Sequence, residues 1–362
     1  MFRWFTAGRG ALAVHCRAFS GSSSGAESLH HAVWSGDPTI VLQHLDGRLD
    51  ELEERDNHGC TPLVLAVVHR HLPVLQLLLE AGANPNAPAF FMKERQPLHF
   101  AAEVTDEASA PMLRLLLEHG ALPAETDADG ETALSFALKV GNKVAVEVLA
   151  PAAAPLDGAD GALHCASAMG DTALVELLLQ CGAPVDATDA ADATPLHVAC
   201  LLGHESVCDL LLGAGAQPCA TNSQNAQPLH EAAARGNADA AQAVLLAGAD
   251  ADAVTANGHM PAQLAALSDS VEVLEILAQH DANLDGALHF AAAAGSIDVV
   301  AHLLRTAQMD PLSLFENEPV SHFAMLALNK ACEDGDKDEE RRARLCLDLL
   351  RAAGAEAEGE SR

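Results

Sequence analysis

The chain has 362 residues, 49% of them hydrophobic but only 3% aromatic, with no Tyr. That is too much for one ordinary core, and it must be packed from Leu, Val and Ala, as in close-set helices rather than a sandwich or barrel. Against 20 Lys and Arg stand 51 Asp and Glu, a formal charge of −31, which disfavours nucleic acid and anionic membranes and suits a basic protein segment. 

No apolar run reaches the roughly 18 residues of a membrane span, so no membrane insertion is expected. The nine Cys are an odd number without any C-x-x-C, which excludes a disulfide framework and fits a reducing compartment.

Residues 1–25 differ from the rest. They carry Arg3, Arg9 and Arg17 and no acid, and Phe2, Trp4, Phe5, Leu12 and Val14 offer an apolar helix face. Such composition is that of an import peptide, and Arg9 interrupts the apolar stretch that a secretory signal needs. Arg17-Ala18-Phe19-Ser20 resembles the site cut by the mitochondrial processing peptidase, and Gly21–Gly25 follows as a Ser/Gly linker. The expectation is a disordered targeting peptide for the mitochondrial matrix. A plastid peptide shares the Ser-rich, acid-poor bias, and a plain disordered tail would leave the chain cytoplasmic.

From residue 26 a unit recurs. Leu29-His30 opens the first copy. Thr61-Pro62-Leu63 leads to Leu77-Leu78-Leu79 and Gly82-Ala83; Pro97-Leu98-His99 leads to Leu115-Leu116-Leu117 and Gly120-Ala121. Leu163-His164, Thr194-Pro195-Leu196-His197, Pro228-Leu229-His230 and Leu288-His289 repeat the pattern. The signature position falls at 29, 63, 98, 134, 163, 196, 229, 262, 288 and 321. Each part has a physical task. A polar residue caps the first helix and Pro fits its first position. Leu and Ala three residues on share one face. Gly170, Gly203, Gly236 and Gly295 end the first helix, and Gly182, Gly215 and Gly248 end the second. Steps of 29 and 26 residues shorten the hairpins near 151–160 and 279–285, where irregularity is expected. Extra residues fall near 105–111. Val64, Ser135 and the pair Ala262-Gln263 depart from Leu-His, and a charged insertion over 333–344 is expected to lengthen a helix or cap the array.

These motifs resemble the ankyrin repeat, with about ten copies over residues 26–355 and a disordered tail at 356–362. The resemblance implies an all-α fold: a solenoid of stacked helix–turn–helix units with hairpin fingers. It implies a non-enzymatic scaffold or adaptor, monomeric and without cofactor or metal, that grips a protein segment in its concave groove. Seven His, at 30, 99, 164, 197, 230, 289 and 322, occupy the position where the family bonds neighbouring loops. The groove positions map to Trp34, His69, Met169, Leu201, Leu202 and Arg235, three of the repeats forming one stripe, with hairpin-tip positions at His58, Asp129, Asn225 and Asn257. The bland alternative is that these side chains cover neighbouring helices.

Two patterns suggest other chemistry. His204-Glu205-x-x-Cys208 sets two metal-binding side chains four apart on a helix, the basis for a metal- or thiol-dependent enzyme or sensor. The site nevertheless coincides with the start of an ordinary second helix. Gly21-Ser22-Ser23-Ser24-Gly25 matches a nucleophile elbow in letters only, lying in low-complexity sequence. A regulatory subunit acting on one enzyme is a further reading that sequence does not separate from a scaffold.

Overall fold

A computed structural model of the chain describes residues 28–46, 49–156, 161–305, 309–310, 313–315 and 318–360. The expected targeting peptide and linker, residues 1–25, lie outside them. The chain divides into two compact units, at Pro97 and Leu98.

The first unit holds α1 (Leu29–Ser35), α2 (Pro38–Leu45), α3 (Pro62–Val68) and α4 (Leu72–Glu80), with a 3-10 turn at Leu49–Glu53. The pairs α1/α2 and α3/α4 stack with α1 on α3 and α2 on α4. The Thr61 hydroxyl caps α3 by accepting the Val64 N–H, and Pro62 opens the helix where no N–H is needed. Leu63, Val67, Val74 and Leu78 vanish from solvent between the layers.

The second unit continues the pairing through α5 (Pro97–Glu103), α6 (Ser109–Glu118), α7 (Ala133–Lys139), α8 (Lys143–Ala153), α9 (Ala162–Met169), α10 (Thr172–Gln180), α11 (Pro195–Leu202) and α12 (Glu205–Gly213). It ends with α13 (Pro228–Arg235), α14 (Ala238–Leu246), α15 (Pro261–Leu267), α16 (Val271–Gln279), α17 (Ala287–Ala294), α18 (Ile297–Arg305), α19 (Val320–Asp334) and α20 (Lys337–Glu360). From α9 to α17 each first helix lies on the next first helix, and from α8 to α18 each second helix on the next second helix. Small residues permit this approach: Ala199, Cys200, Ala232, Ala233, Ala265 and Ala291 are fully buried. A short antiparallel pair, β1 (Leu314–Phe315) with β2 (Glu318–Pro319), precedes α19.

The irregular places have physical causes. At the short steps, α9 and α17 start from glycines in the left-handed region, Gly161 (φ 59°) and Gly286 (φ 80°), because too few residues remain for an extended polar cap. The extra residues of the third repeat form a loop before α6, pinned by the Asn142 amide, which donates to Ala102 O (3.1 Å), Val104 O (2.6 Å) and Ser109 Oγ (3.1 Å). The insertion at 333–344 lengthens both α19 and α20, which turn at Gly335 (φ 72°). Helix α20 also takes in residues 356–360 of the segment expected as a tail; that stretch is rich in the helix formers Ala and Glu.

Candidate partner-binding surfaces

The signature histidines decide which polar groups are spent within the fold and which are free to bind. In α11 the Thr194 N–H donates to His197 Nδ1 (3.1 Å), so Nε2 carries the hydrogen and donates to Ala226 O (2.9 Å). His230 repeats both bonds, with the Gln227 N–H at 3.1 Å and Ala253 O at 3.0 Å. His30, His99, His164 and His289 reach Cys60 O, Glu131 O, Ala193 O and Ser313 O at 2.8–3.2 Å. Burial holds His197, His230 and His289 below the ordinary imidazole value, consistent with neutral rings, of which His197 and His230 accept at Nδ1 while the Nδ1 of His289 has no partner. His164 keeps only the outgoing bond, since Gly161 supplies no matching cap and its Nδ1 has no partner.

His322 departs from the expectation. It is half-exposed and lies 3.9 Å from Glu318, four residues earlier. Gln263 departs the other way. Its Oε1 accepts from the Met260 N–H (3.1 Å) and its Nε2 donates to Asp285 O (3.0 Å). The amide thus reproduces both imidazole bonds, at a place where the letters looked degenerate.

A second set of bonds ties the ends of first helices to the next pair. The Asn237 amide donates to Cys200 O (2.8 Å) and Leu201 O (3.1 Å), His204 Nε2 meets Ala168 O (3.3 Å), and Ser268 Oγ donates to Ala233 O (2.9 Å). These satisfy carbonyls that a helix leaves orphaned at its C-terminus. The ring of His204 is therefore directed at the preceding helix, while Cys208 is fully buried with its Sγ 3.7 Å from that of Cys200. The two candidate metal ligands do not meet, and no cluster of three or more His, Cys, Asp or Glu converges among the described residues. The neighbouring Cys208 thiol and then burial push the Cys200 thiol well up, which removes thiolate character.

Two surfaces carry the expected groove residues. In the second unit, Met169, Leu201, Leu202 and Arg235 occupy the last turns of α9, α11 and α13, three successive first helices. Met169 and Leu202 are 38% and 39% exposed, Leu201 is half-buried and Arg235 is exposed. On α13, one turn before Arg235, the Glu231 carboxyl is pushed up by burial and receives the Asn222 amide at 3.3 Å.

In the first unit, Trp34 and His69 meet. They line a solvent-open cleft of about 470 Å³ together with His30, His31, Asp56, His58 and Leu65. Trp34 is stacked with His31 (centroids 6.3 Å apart) and edge-on to His69 (6.4 Å), which stacks on His71 (5.9 Å). Burial, then the neighbouring His71, lowers the value for His69. Asp56 closes the cleft from the finger: its Oδ1 accepts from the His58 and Cys60 N–H groups at 2.9 and 2.8 Å, while Oδ2 is buried without a partner.

Among the hairpin-tip residues, His58 joins this cleft, Asp129 and Asn257 are exposed, and Asn225 spends its amide on Val254 O (2.7 Å) in the next finger. Three residues escaped the sequence reading. One is Asp56; the others are Phe90 and Phe91, 54% and 79% exposed on the following finger, with the Arg55 guanidinium 3.8 Å over the Phe90 ring. An adjacent Phe pair in a loop that should be polar was a legible signal.

Residues 155–222 and 229–313 match the family model described as ankyrin repeats (3 copies), residues 58–89 that of the ankyrin repeat, and residues 98–150 that of ankyrin repeats (many copies). The human transient receptor potential cation channel subfamily A member 1 is 32% identical over 123 residues, which is 33% of this chain and 10% of that protein. The ANK repeat-containing protein nipk-1 of Caenorhabditis elegans is 38% identical over 86 residues, 24% of this chain and 14% of that protein. The aligned part is thus a small fraction of each relative's length. The solved ankyrin repeat domain of Bcl-3 is 27% identical and covers 71% of this chain and 100% of that domain, with a TM-score of 0.44.

Proposed function

The chain belongs to the ankyrin repeat family, and we propose that it is a monomeric, non-enzymatic scaffold or adaptor that holds a basic segment of a partner protein along the groove side of its first helices. Repeats of this family generally mediate protein–protein interaction; the segment, its charge and the groove are our reading. The observation that carries it is the row of Met169, Leu202 and Arg235 at consecutive helix ends, exposed on helices whose Leu163, Leu196 and Leu229 are buried. An apolar row edged by Arg suits a binding hot spot. The charge of −31 favours a basic partner and speeds its approach. For its place of action we propose the mitochondrial matrix, on the Arg-bearing, acid-free composition of residues 1–25.

Proximity labelling with the intact chain, followed by affinity capture, tests compartment and partner together. The expected result is a matrix protein set containing one partner whose capture is lost with Leu201→Arg and Leu202→Arg combined. Labelling confined to the cytoplasm would overturn the compartment. Partner capture unchanged by the double variant, with its melting temperature preserved, would overturn the groove.

A further inference from the structure

Trp34, His31, His58 and His69 surround the cleft of the first unit with ring faces and edges, and Asp56 lies beneath them. The cleft is built to a different plan from the apolar row on α9, α11 and α13. Aromatic faces carry negative potential and attract cations, Trp most strongly. Asp56 adds a carboxylate whose Oδ1 is satisfied by two N–H groups while Oδ2 has none and is closed to solvent. A charge shielded from water keeps its field, so the carboxylate attracts a counter-charge placed in the cleft above it. The Arg55 guanidinium does not serve. Arg55 is committed to Gly59 O (3.0 Å) and Pro88 O and stacks on Phe90.

We infer that this cleft receives a single cationic side chain, the lysine or arginine of a basic partner segment, between the Trp34 ring and the Asp56 carboxylate. The inference rests on the adaptor reading above, and it assigns that adaptor a charge-selective anchor point. The alkyl stem of the guest lies against Trp34 and Leu65, and its charged head faces the rings and the carboxylate.

Asp56→Asn isolates the charge. Asn222 stands at the corresponding place in a later finger, and its Oδ1 accepts from the Gln224 and Ala226 N–H groups at 2.9 and 3.0 Å, the same pair of bonds that Asp56 makes. The substitution therefore keeps the two turn bonds and removes the charge, although its amide NH2 lacks the acceptor that Asn222 finds in Glu231. Trp34 is half-exposed, so Trp34→Leu spares the core.

The test is an NMR titration of the full chain, reading the Trp34 indole N–H. Trp34 is one of two Trp, the other being Trp4, and Trp4→Phe assigns the signals. The probes are short Gly/Ser peptides with one central Lys, Arg, norleucine or Glu. The Lys or Arg peptide should shift the signal to saturation, and norleucine and Glu should not; the Lys and Arg arms tell which head group is preferred. Asp56→Asn should weaken binding about tenfold, the equivalent of about 1.4 kcal/mol, with the chain still folded at the titration temperature. Equal response to norleucine, or undiminished binding by Asp56→Asn, would overturn the inference. If Trp34→Leu still captures the partner in full, the cleft is wrong and the adaptor reading stands. If cationic peptides bind here but no partner is captured, the adaptor reading fails and the cleft stands.

Discussion

At the scale of single residues, the molecule is organised around a neutral imidazole that accepts on one side and donates on the other. His197 joins the start of α11 to the finger of the following repeat, 29 residues on, so its loss leaves the Thr194 N–H without its acceptor and Ala226 O with the Asn222 N–H (3.0 Å) alone. His197→Ala should cost about 1–3 kcal/mol, the range for stranding buried polar groups. His197→Gln should cost less than about half of that, because Gln263 already makes both bonds. Thermal melts of the two variants side by side check this. The same residues set a pH dependence. His197, His230 and His289 titrate lower when folded than the ordinary value of about 6.5. Between the two values the unfolded chain binds more protons, so stability rises with pH; it is complete above about 6.5 and is lost as pH falls below it. Denaturation midpoints between pH 5 and 7.5 should show this rise, and His197→Gln should reduce its slope. Glu231 and Asp269, raised by burial, act with the opposite sign, nearer the carboxylate range.

At the scale of helices, each first helix must stop sharply so that its partner can fold back. Gly203 does this at φ 74°, and a Cβ there would lie 2.8 Å from Asn237 Oδ1, the side chain that seals the carbonyls of α11. Gly203→Ala therefore meets both a left-handed backbone and a crowded neighbour. We expect a loss of about 1–2 kcal/mol; at Gly248, where φ is 93° but nothing stands within 4 Å, only the backbone part should remain. Comparing the two substitutions by chemical denaturation separates strain from contact. The caps are less uniform than the helices. Thr61, Thr132 and Thr194 start α3, α7 and α11, whereas glycines start α9 and α17, so polar capping assists the stack without being required at every level. The Lys143–Asp171 pair links α8 to the start of α10 and, chiefly through its hydrogen bond, holds the Asp171 carboxyl below its usual range. With Lys143 63% exposed, such a pair contributes little.

At the scale of the whole molecule, charge governs encounter and local chemistry governs grip. A surface at −31 attracts a basic segment over about 10 Å at 0.1 M salt. Raising salt from 50 to 500 mM should slow association with the captured partner about tenfold while changing dissociation far less; surface-immobilised kinetics would read both rates. No helix among the described residues is long and apolar enough to cross a membrane. How much of this was legible follows from how far apart the cooperating residues lie. The repeat, its helices, its Gly stops and the bonding role of most signature histidines could be read directly, because each unit carries its own Leu spacing, cap and stop within some 33 residues and packs on a neighbour of like pattern. The cleft could not. Trp34, Asp56 and His69 lie on a helix, a finger and the end of another helix, and only stacking turns their side chains toward one space. Gln263 looked like a failed copy until the positions of Met260 N and Asp285 O showed that an amide spans the same gap as an imidazole. The amino-acid sequence alone thus determined the architecture, since periodic burial is a local property repeated. The tertiary structure alone decided which polar atoms are spent in holding it and which, like Asp56 Oδ2, are left over, since hydrogen-bond satisfaction depends on atoms that the chain order does not place together.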